Sequence, residues 1–191
     1  AALRNDWRTE VARLGLANAR EWYHRHLPKG TRIISIDDDI EGLYQKDGVK
    51  LVPYQGTIDD LAEDGFSQCE AAGAGLWGVY PVLNGMFMND QTVVGLRLIC
   101  GAFFGSYAGD PVFQSRHSPN GEDWDSTLLS FARYRKVVRL EYVTFKTRMW
   151  QGADGGMSQE QGGLENRMKQ HEASLKDIAS RYPQLVSTYR K

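Results

Sequence analysis

The chain has few cysteines and prolines, no long apolar run and no excess of charge of either sign. Its two cysteines, Cys69 and Cys100, lie far apart in partly apolar contexts. Two free, buried thiols are expected rather than a disulfide, which suits a reducing, cytoplasmic compartment. The most apolar stretch, Val93 to Phe104, is too short to span a bilayer and carries Arg97. No signal peptide is visible, and no membrane partner is expected. Lys and Arg number 23 against 24 Asp and Glu, a formal net charge of -1. No global field draws the chain to nucleic acid or membrane, so a polyanion must be met by a local patch. Zinc-type Cys/His spacing, a P-loop, a Gly-x-Ser-x-Gly elbow and a dinucleotide fingerprint are all missing. No repeat or linker divides the chain. The remaining composition, 41% hydrophobic and 25% charged in 191 residues, is that of one globular domain over 1–191. The chain opens on Ala1 rather than Met and is expected to be a fragment or a processed product.

A helix is expected over Trp7 to His26, with Val11, Leu14, Ala17 (or Asn18) and Trp22 at helical spacing and Pro28-Lys29-Gly30 as its stop. A buried strand follows from Thr31 to Ile36. Val49 to Tyr54 reads as a short strand whose Pro53 suggests an edge. Thr57 and Asp60 have capping-box spacing and open a helix to about Ala72. Trp77 to Pro81 reads as a strand, and Val93 to Tyr107 as one long β-rich run broken by Gly95, Gly101 and Gly105. A helix opens at Gly121-Glu122-Asp123-Trp124-Asp125, with acids in its first turn. Val137 to Phe145 alternates as a strand. Residues 151–163 are polar and carry two Gly-Gly pairs, as a mobile loop would. Residues 164–191 form an amphipathic helical tail, interrupted near Pro183. Helices and strands alternate at first and then give way to longer β segments. The expected fold is α/β, a mixed sheet flanked by helices, with its ligand at the carboxyl ends of strands.

The chemistry concentrates at Ile33-Ile34-Ser35-Ile36-Asp37-Asp38-Asp39. An apolar strand ends in three carboxylates that repel one another and gain nothing from an apolar core. A hard cation, Mg²⁺ or Mn²⁺, would make them favourable and would also hold substrate phosphates. On an extended segment Asp37 and Asp39 share a side, with Asp38 opposite. The plainer alternative is an acidic turn capping a helix near Ile40-Glu41. Glu122-Asp123 offers a carboxylate to take a proton from a hydroxyl, with its pKa lowered by the helix N-terminus; ordinary N-terminal capping is the alternative. Arg20 could pair with the acidic tip or bind phosphate, or be a surface arginine. Arg133, Arg135, Lys136, Arg139, Lys146 and Arg148 run into Trp150 with only Glu141 in between. Such a run could follow a nucleic-acid backbone and stack on a base, or be a solvated face. Structural or surface roles are expected of His24, His26, His117 and His171.

In order, Asn18-Ala19-Arg20-Glu21, Asp37-Asp38-Asp39 and Gly121-Glu122-Asp123 resemble the signature of GT-A type glycosyltransferases. That signature is an arginine-bearing helix, a strand ending in Asp-x-Asp and an acidic pair opening a late helix. Gly78-Val79-Tyr80-Pro81-Val82, Asn84-Gly85-Met86-Phe87-Met88 and Leu98 to Gly105 narrow the likeness. With Ile36 to Ile40 and Glu122 to Ser126, they are similar to the TET-associated glycosyltransferases of phages and their eukaryotic relatives, over most of residues 15 to 150.

The resemblance implies a GT-A-like sheet and transfer of a sugar from a nucleotide donor, probed first as a UDP-sugar, to hydroxymethylated pyrimidine in DNA. It implies Asp37 and Asp39 as ligands of Mg²⁺ or Mn²⁺, and Asp38 beside the ribose or sugar. Asp123 or Glu122 would be the base. Arg20, Gly101 and Gly105 would lie on the donor side, and residues 152–163 would form a lid. Arg135, Lys136 and Trp150 would meet the acceptor. GT-A folds usually begin with a strand upstream of the arginine-bearing helix, so an N-terminal truncation is expected. Two rival expectations are a GT-A enzyme acting on glycan or protein, and a non-catalytic nucleic-acid-binding module.

Overall fold

The computed structural model describes residues 16–114, 121–147 and 164–187. His117, Arg148, Trp150, the glycine-rich loop at 151–163 and the start of the first expected helix lie outside the described residues. The chain runs α1 (Leu16–His26), β1 (Arg32–Ile36), β2 (Ile40–Asp47), β3 (Lys50–Pro53), α2 (Ile58–Ala72), β4 (Leu76–Tyr80), β5 (Thr92–Gly95), β6 (Phe103–Tyr107), α3 (Glu122–Tyr134), β7 (Val137–Thr147) and α4 (Leu164–Arg181). No described helix is long and apolar enough to cross a membrane.

The strands form one mixed sheet in the order β1-β6-β4-β7-β2-β3, with β5 also on β7. β6 is antiparallel to both β1 and β4, and β4 is parallel to β7. The carboxyl ends of β1, β4 and β7 therefore point the same way. β2 was not expected from the sequence; its Glu41, Lys46 and Asp47 hide any alternation. It becomes a strand by pairing with Phe145 and its neighbours on β7 and with Val52 on β3. The expected run from Val93 to Tyr107 divides, because β5 pairs with β7 while β6 pairs with β1 and β4.

Ile36 and Ile40 end and begin strands that are four places apart in the sheet. A flat sheet would separate those strands by about 19 Å, whereas the linking chain reaches at most about 14 Å. The sheet must curl, and β7 shows where. Its partners on β4 jump from Leu140 to Thr144 between Val79 and Tyr80. Across that irregularity the core-facing positions change parity, from Val138 and Leu140 to Val143 and Phe145.

Two cores result. On one face Leu61, Phe66 and Cys69 of α2 pack on Trp77, Val79, Phe103 and the β7 residues. On the other, Leu76, Ile99, Phe104, Phe113 and Val137 meet Leu129 and Tyr134 of α3. α2 opens on a complete capping box: the Asp60 N–H donates to Thr57 Oγ1 at 3.1 Å and the Thr57 N–H to Asp60 Oδ2 at 2.8 Å. It closes on Gly73 in the left-handed region, φ 66°. α4 is docked on the start of α3. Ile178 is fully buried against Gly121, and Arg181 Nη2 donates to the buried Asp125 at 2.9 Å. The helix stops at Arg181, at the interruption expected near Pro183.

Trp77 sits at the centre, fully buried, with Gly105 facing it from β6 and Gly65 from α2. A Cβ at either glycine would overlap the indole. This corrects one expectation: Gly105 lacks a side chain to admit Trp77, not to bring backbone close to a sugar. Gly105→Ala should destabilise the chain by about 1–3 kcal/mol through overpacking. The check is a denaturant midpoint measured beside that of the parent chain.

Candidate functional site

Three segments distant in sequence converge on Arg20. It lies on α1 with 6% of its surface exposed. Its Nη2 donates to the carbonyl of Gly101 at 2.8 Å, and its Nη1 to Glu122 Oε1 at 3.1 Å. Asp37 Oδ1 stands 3.9 Å from Nη2, and the guanidinium lies over the Phe104 ring. Nε is buried with no hydrogen-bond partner among the described residues. At Gly101 the absent side chain matters here: a Cβ would come within 3.3 Å of both Arg20 Nη1 and Glu122 Oε1. Tyr23, three residues along α1, shares that helix face and its hydroxyl hydrogen-bonds Ser35 of β1 at 2.8 Å.

The acidic tip is a turn rather than an extended segment. The Ile40 N–H donates to the Asp37 carbonyl at 3.3 Å, and the Asp37 N–H donates to Ala102 at 2.9 Å. Strand alternation therefore does not set the side-chain directions of Asp37, Asp38 and Asp39. Nor does the turn cap a helix, since β2 follows it. Burial raises the Asp37 carboxyl above its ordinary range, Arg20 opposes, and Asp39, Glu122 and Asp38 add to the rise in that order.

Glu122 and Asp123 open α3 and diverge. Glu122 is held by Arg20. The Asp123 carboxyl is pushed up to about 6, mainly by burial and next by the charge of Glu122. The Trp124 N–H, donating at 2.8 Å, together with Arg20 and the Gly101 N–H pulls the other way without prevailing. The helix N-terminus was expected to lower this group; desolvation outweighs it. Cys100 belongs to the same cluster. Burial pushes its thiol up to about 11, and Asp123, Asp37 and Glu122 contribute. Neither Tyr23 nor Cys100 was singled out in the sequence. The spacing of Tyr23 from Arg20 was a usable signal, whereas only the fold brings Cys100 in.

Asp37, Glu122 and Asp123 thus gather around one guanidinium, with Asp38 and Asp39 next to Asp37. Their oxygen-only donor set suits a hard cation, and like charges raising Asp37 are what a cation would relieve. Among the described residues no three acidic, His or Cys groups form a ready metal shell. Two cavities flank the turn. One of about 330 Å³ is lined by Asp38, Asp39, Ile40 and Glu41. The other, about 370 Å³, runs from Ile36 and Asp37 to Tyr54 and Ile58.

Of the expected acceptor-side residues, the two described ones, Arg135 and Lys136, are not brought to this site. Arg135 and Lys136 precede β7 and lie at the opposite end of the sheet from Asp37. Arg135 takes φ 60° at the end of α3 with its guanidinium over Phe131, and Lys136 Nζ donates to the last carbonyl of α2, Ala72, at 2.7 Å. Arg139 is bound to buried Glu141 at 2.6 Å, and Lys146 to Glu41 at 2.6 Å. The basic run is therefore dispersed into separate partnerships, so its described members do not make one face. His24 is fully buried, stacked on Phe113 and hydrogen-bonded to Ser106 and Tyr107, a structural role. No protein-family model, curated protein or solved structure matches the chain.

A carboxyl raised from 3.8 to about 6 on folding binds its proton more tightly in the native state. Its favourable contribution is complete below about 3.8 and is lost as pH rises to about 6. Asp123→Asn should therefore stabilise the chain at pH 7.5, by on the order of 1–3 kcal/mol, with the gain vanishing near pH 4. Paired melting curves at the two pH values check this.

Proposed function

We propose that this chain is a metal-dependent, GT-A-like glycosyltransferase that moves a sugar from a nucleotide donor to a hydroxyl acceptor. The observation that carries the reading is Asp123, a half-buried carboxyl raised to about 6 beside an acidic turn and a buried arginine. A general base works best with a pKa near the operating pH. The sequence segments that resemble glycosyltransferases also meet in space at Arg20, Asp37 and Glu122, which supports the reading.

In this mechanism Asp123 accepts the proton of the acceptor hydroxyl as that oxygen bonds to the anomeric carbon and the bond to the donor diphosphate breaks. Arg20, itself held by the Gly101 carbonyl, fixes Glu122 and thereby the start of α3, which aims Asp123. Asp37 and Asp39 would hold Mg²⁺ or Mn²⁺, which when bound supplies positive charge to the leaving diphosphate. Asp38, exposed in the turn, is available to a ribose or sugar hydroxyl. Hydroxymethylated pyrimidine in DNA is the acceptor favoured by the resemblance. A glycan or protein acceptor would use the same centre. The dispersal of the described basic residues weighs against a module that only binds nucleic acid.

UDP release from UDP-sugars should require Mn²⁺ or Mg²⁺ and stop with EDTA. Hydroxymethylcytosine DNA, hydroxymethyluracil DNA and simple sugars, assayed in parallel, identify the acceptor. Activity should rise with pH through about 6, as Asp123 loses its proton. Asp123→Asn should lower turnover by roughly a hundred- to ten-thousand-fold while UDP binding persists. Asp37→Asn and Asp39→Asn should abolish the metal requirement and the transfer together, without unfolding the chain. Turnover unaffected by Asp123→Asn would remove the base, and with it this reading.

A further inference from the structure

The loop between β4 and β5 carries large apolar side chains where solvent reaches them. Met86 is 75% exposed and Phe87 67%, and Val49, at the turn between β2 and β3, is 73% exposed. Val82 and Leu83 are exposed just before them in the chain. Five of the eleven exposed large apolar side chains among the described residues thus fall in or beside this loop. They form a patch, unlike the scattered single residues of an ordinary surface. The loop is built to hold them there. Gly85–Phe87 make a single helical turn capped by Asn84, whose Oδ1 accepts from the Met86 N–H at 3.0 Å. Gly85 is buried against the β2–β3 turn, where a Cβ would stand 2.8 Å from the Val49 carbonyl oxygen. Met88 is buried, Asp90 Oδ2 meets Lys46 Nζ of β2 at 3.0 Å, and the Gln91 carbonyl accepts from the Glu141 N–H at 3.1 Å. Side chains presented on a loop tied at both ends lose little freedom on binding, which suits them as anchors.

We infer that this patch is a contact between two copies of the chain, with Met86 and Phe87 as its anchors. The inference is independent of the glycosyl-transfer reading. The rim decides which kind of partner fits. Lys46 and Lys50 stand with Asp47 and Asp90, two charges of each sign. A rim without net charge offers no field to a nucleic-acid backbone or to an anionic lipid surface. It does match itself. Across a two-fold axis a lysine of one copy can face an aspartate of the other, which is the self-complementarity an isologous contact requires. The area agrees. The five side chains leave roughly 500 Å² exposed on one chain. Two copies face to face would cover about 1,000 Å², the threshold for a specific interface. An interface of that size gives a reversible dimer rather than an obligate one.

Sedimentation equilibrium on the full chain, between about 1 and 200 µM, should show a mass rising from 21.6 kDa toward twice that value. Phe87→Glu and Met86→Glu, both at exposed positions, should each raise the dissociation constant at least roughly tenfold. Neither should move the melting temperature of the dilute, monomeric chain. Leu27→Glu adds the same charge at an exposed apolar position just before β1, at the other end of the sheet, and should leave the association unchanged. A parent chain that stays monomeric throughout overturns the inference, as does a dimer indifferent to both loop substitutions. A dimer lost equally in Leu27→Glu overturns it too, because net charge and not the patch would then be responsible. Binding of the monomeric chain to anionic vesicles or duplex DNA, abolished by Phe87→Glu, would assign the patch to that partner and likewise remove the second copy.

Discussion

Burying an arginine obliges the fold to surround it. Removing a guanidinium from water costs several kcal/mol unless partners compensate, and Arg20 finds them on three other parts of the chain. The Gly101 carbonyl comes from the loop before β6, Glu122 from the start of α3, and Asp37 from the end of β1. Each partner is useful only if its own element is in register. The first helix, the sheet edge and the second core are thus tied to one planar group. Charge-assisted bonds of this kind are directional, so the tie sets distances as well as adjacency.

The same arrangement gives two adjacent acids different chemistry. Glu122 spends its charge on Arg20, whereas Asp123 lies beyond that reach in a desolvated place where the proton is retained to near neutrality. Environments that separate neighbouring carboxyl groups mark out acid–base roles. The separation is electrostatic in origin, but packing produces it. Ile178 of α4 covers Gly121 and Arg181 holds the buried Asp125, and the first turn of α3 is thereby fixed in place.

Features written in local patterns were legible in the sequence. The Thr57–Asp60 box, the strand before the acids, the acidic start of α3 and the proline stop of α4 depend on neighbours within a few residues, and all appear where expected. Arg20, Asp37 and Glu122 could be nominated one at a time. What could not be read was set by pairing across the chain. β2 has no alternation of its own and borrows strand character from β7. Gly105 was assigned to a ligand because nothing nearby in sequence discloses Trp77 on the facing strand. Arg135 and Lys136 look like part of a binding edge until the direction of β7 places them at the wrong end. The raised carboxyl of Asp123 is a property of enclosure, which a sequence at a helix N-terminus argues against.

One more feature has mechanical meaning. The link from Ile36 to Ile40 bridges strands that a flat sheet would hold too far apart, so the short turn bearing the three aspartates acts as a clasp on the bent sheet. Its acids cannot drift outward without the clasp opening, which would disturb β7 and both layers packed on it. Extra residues would lengthen the clasp and let the carboxylates wander. A length of three residues is therefore as much a part of the site as the side chains it carries.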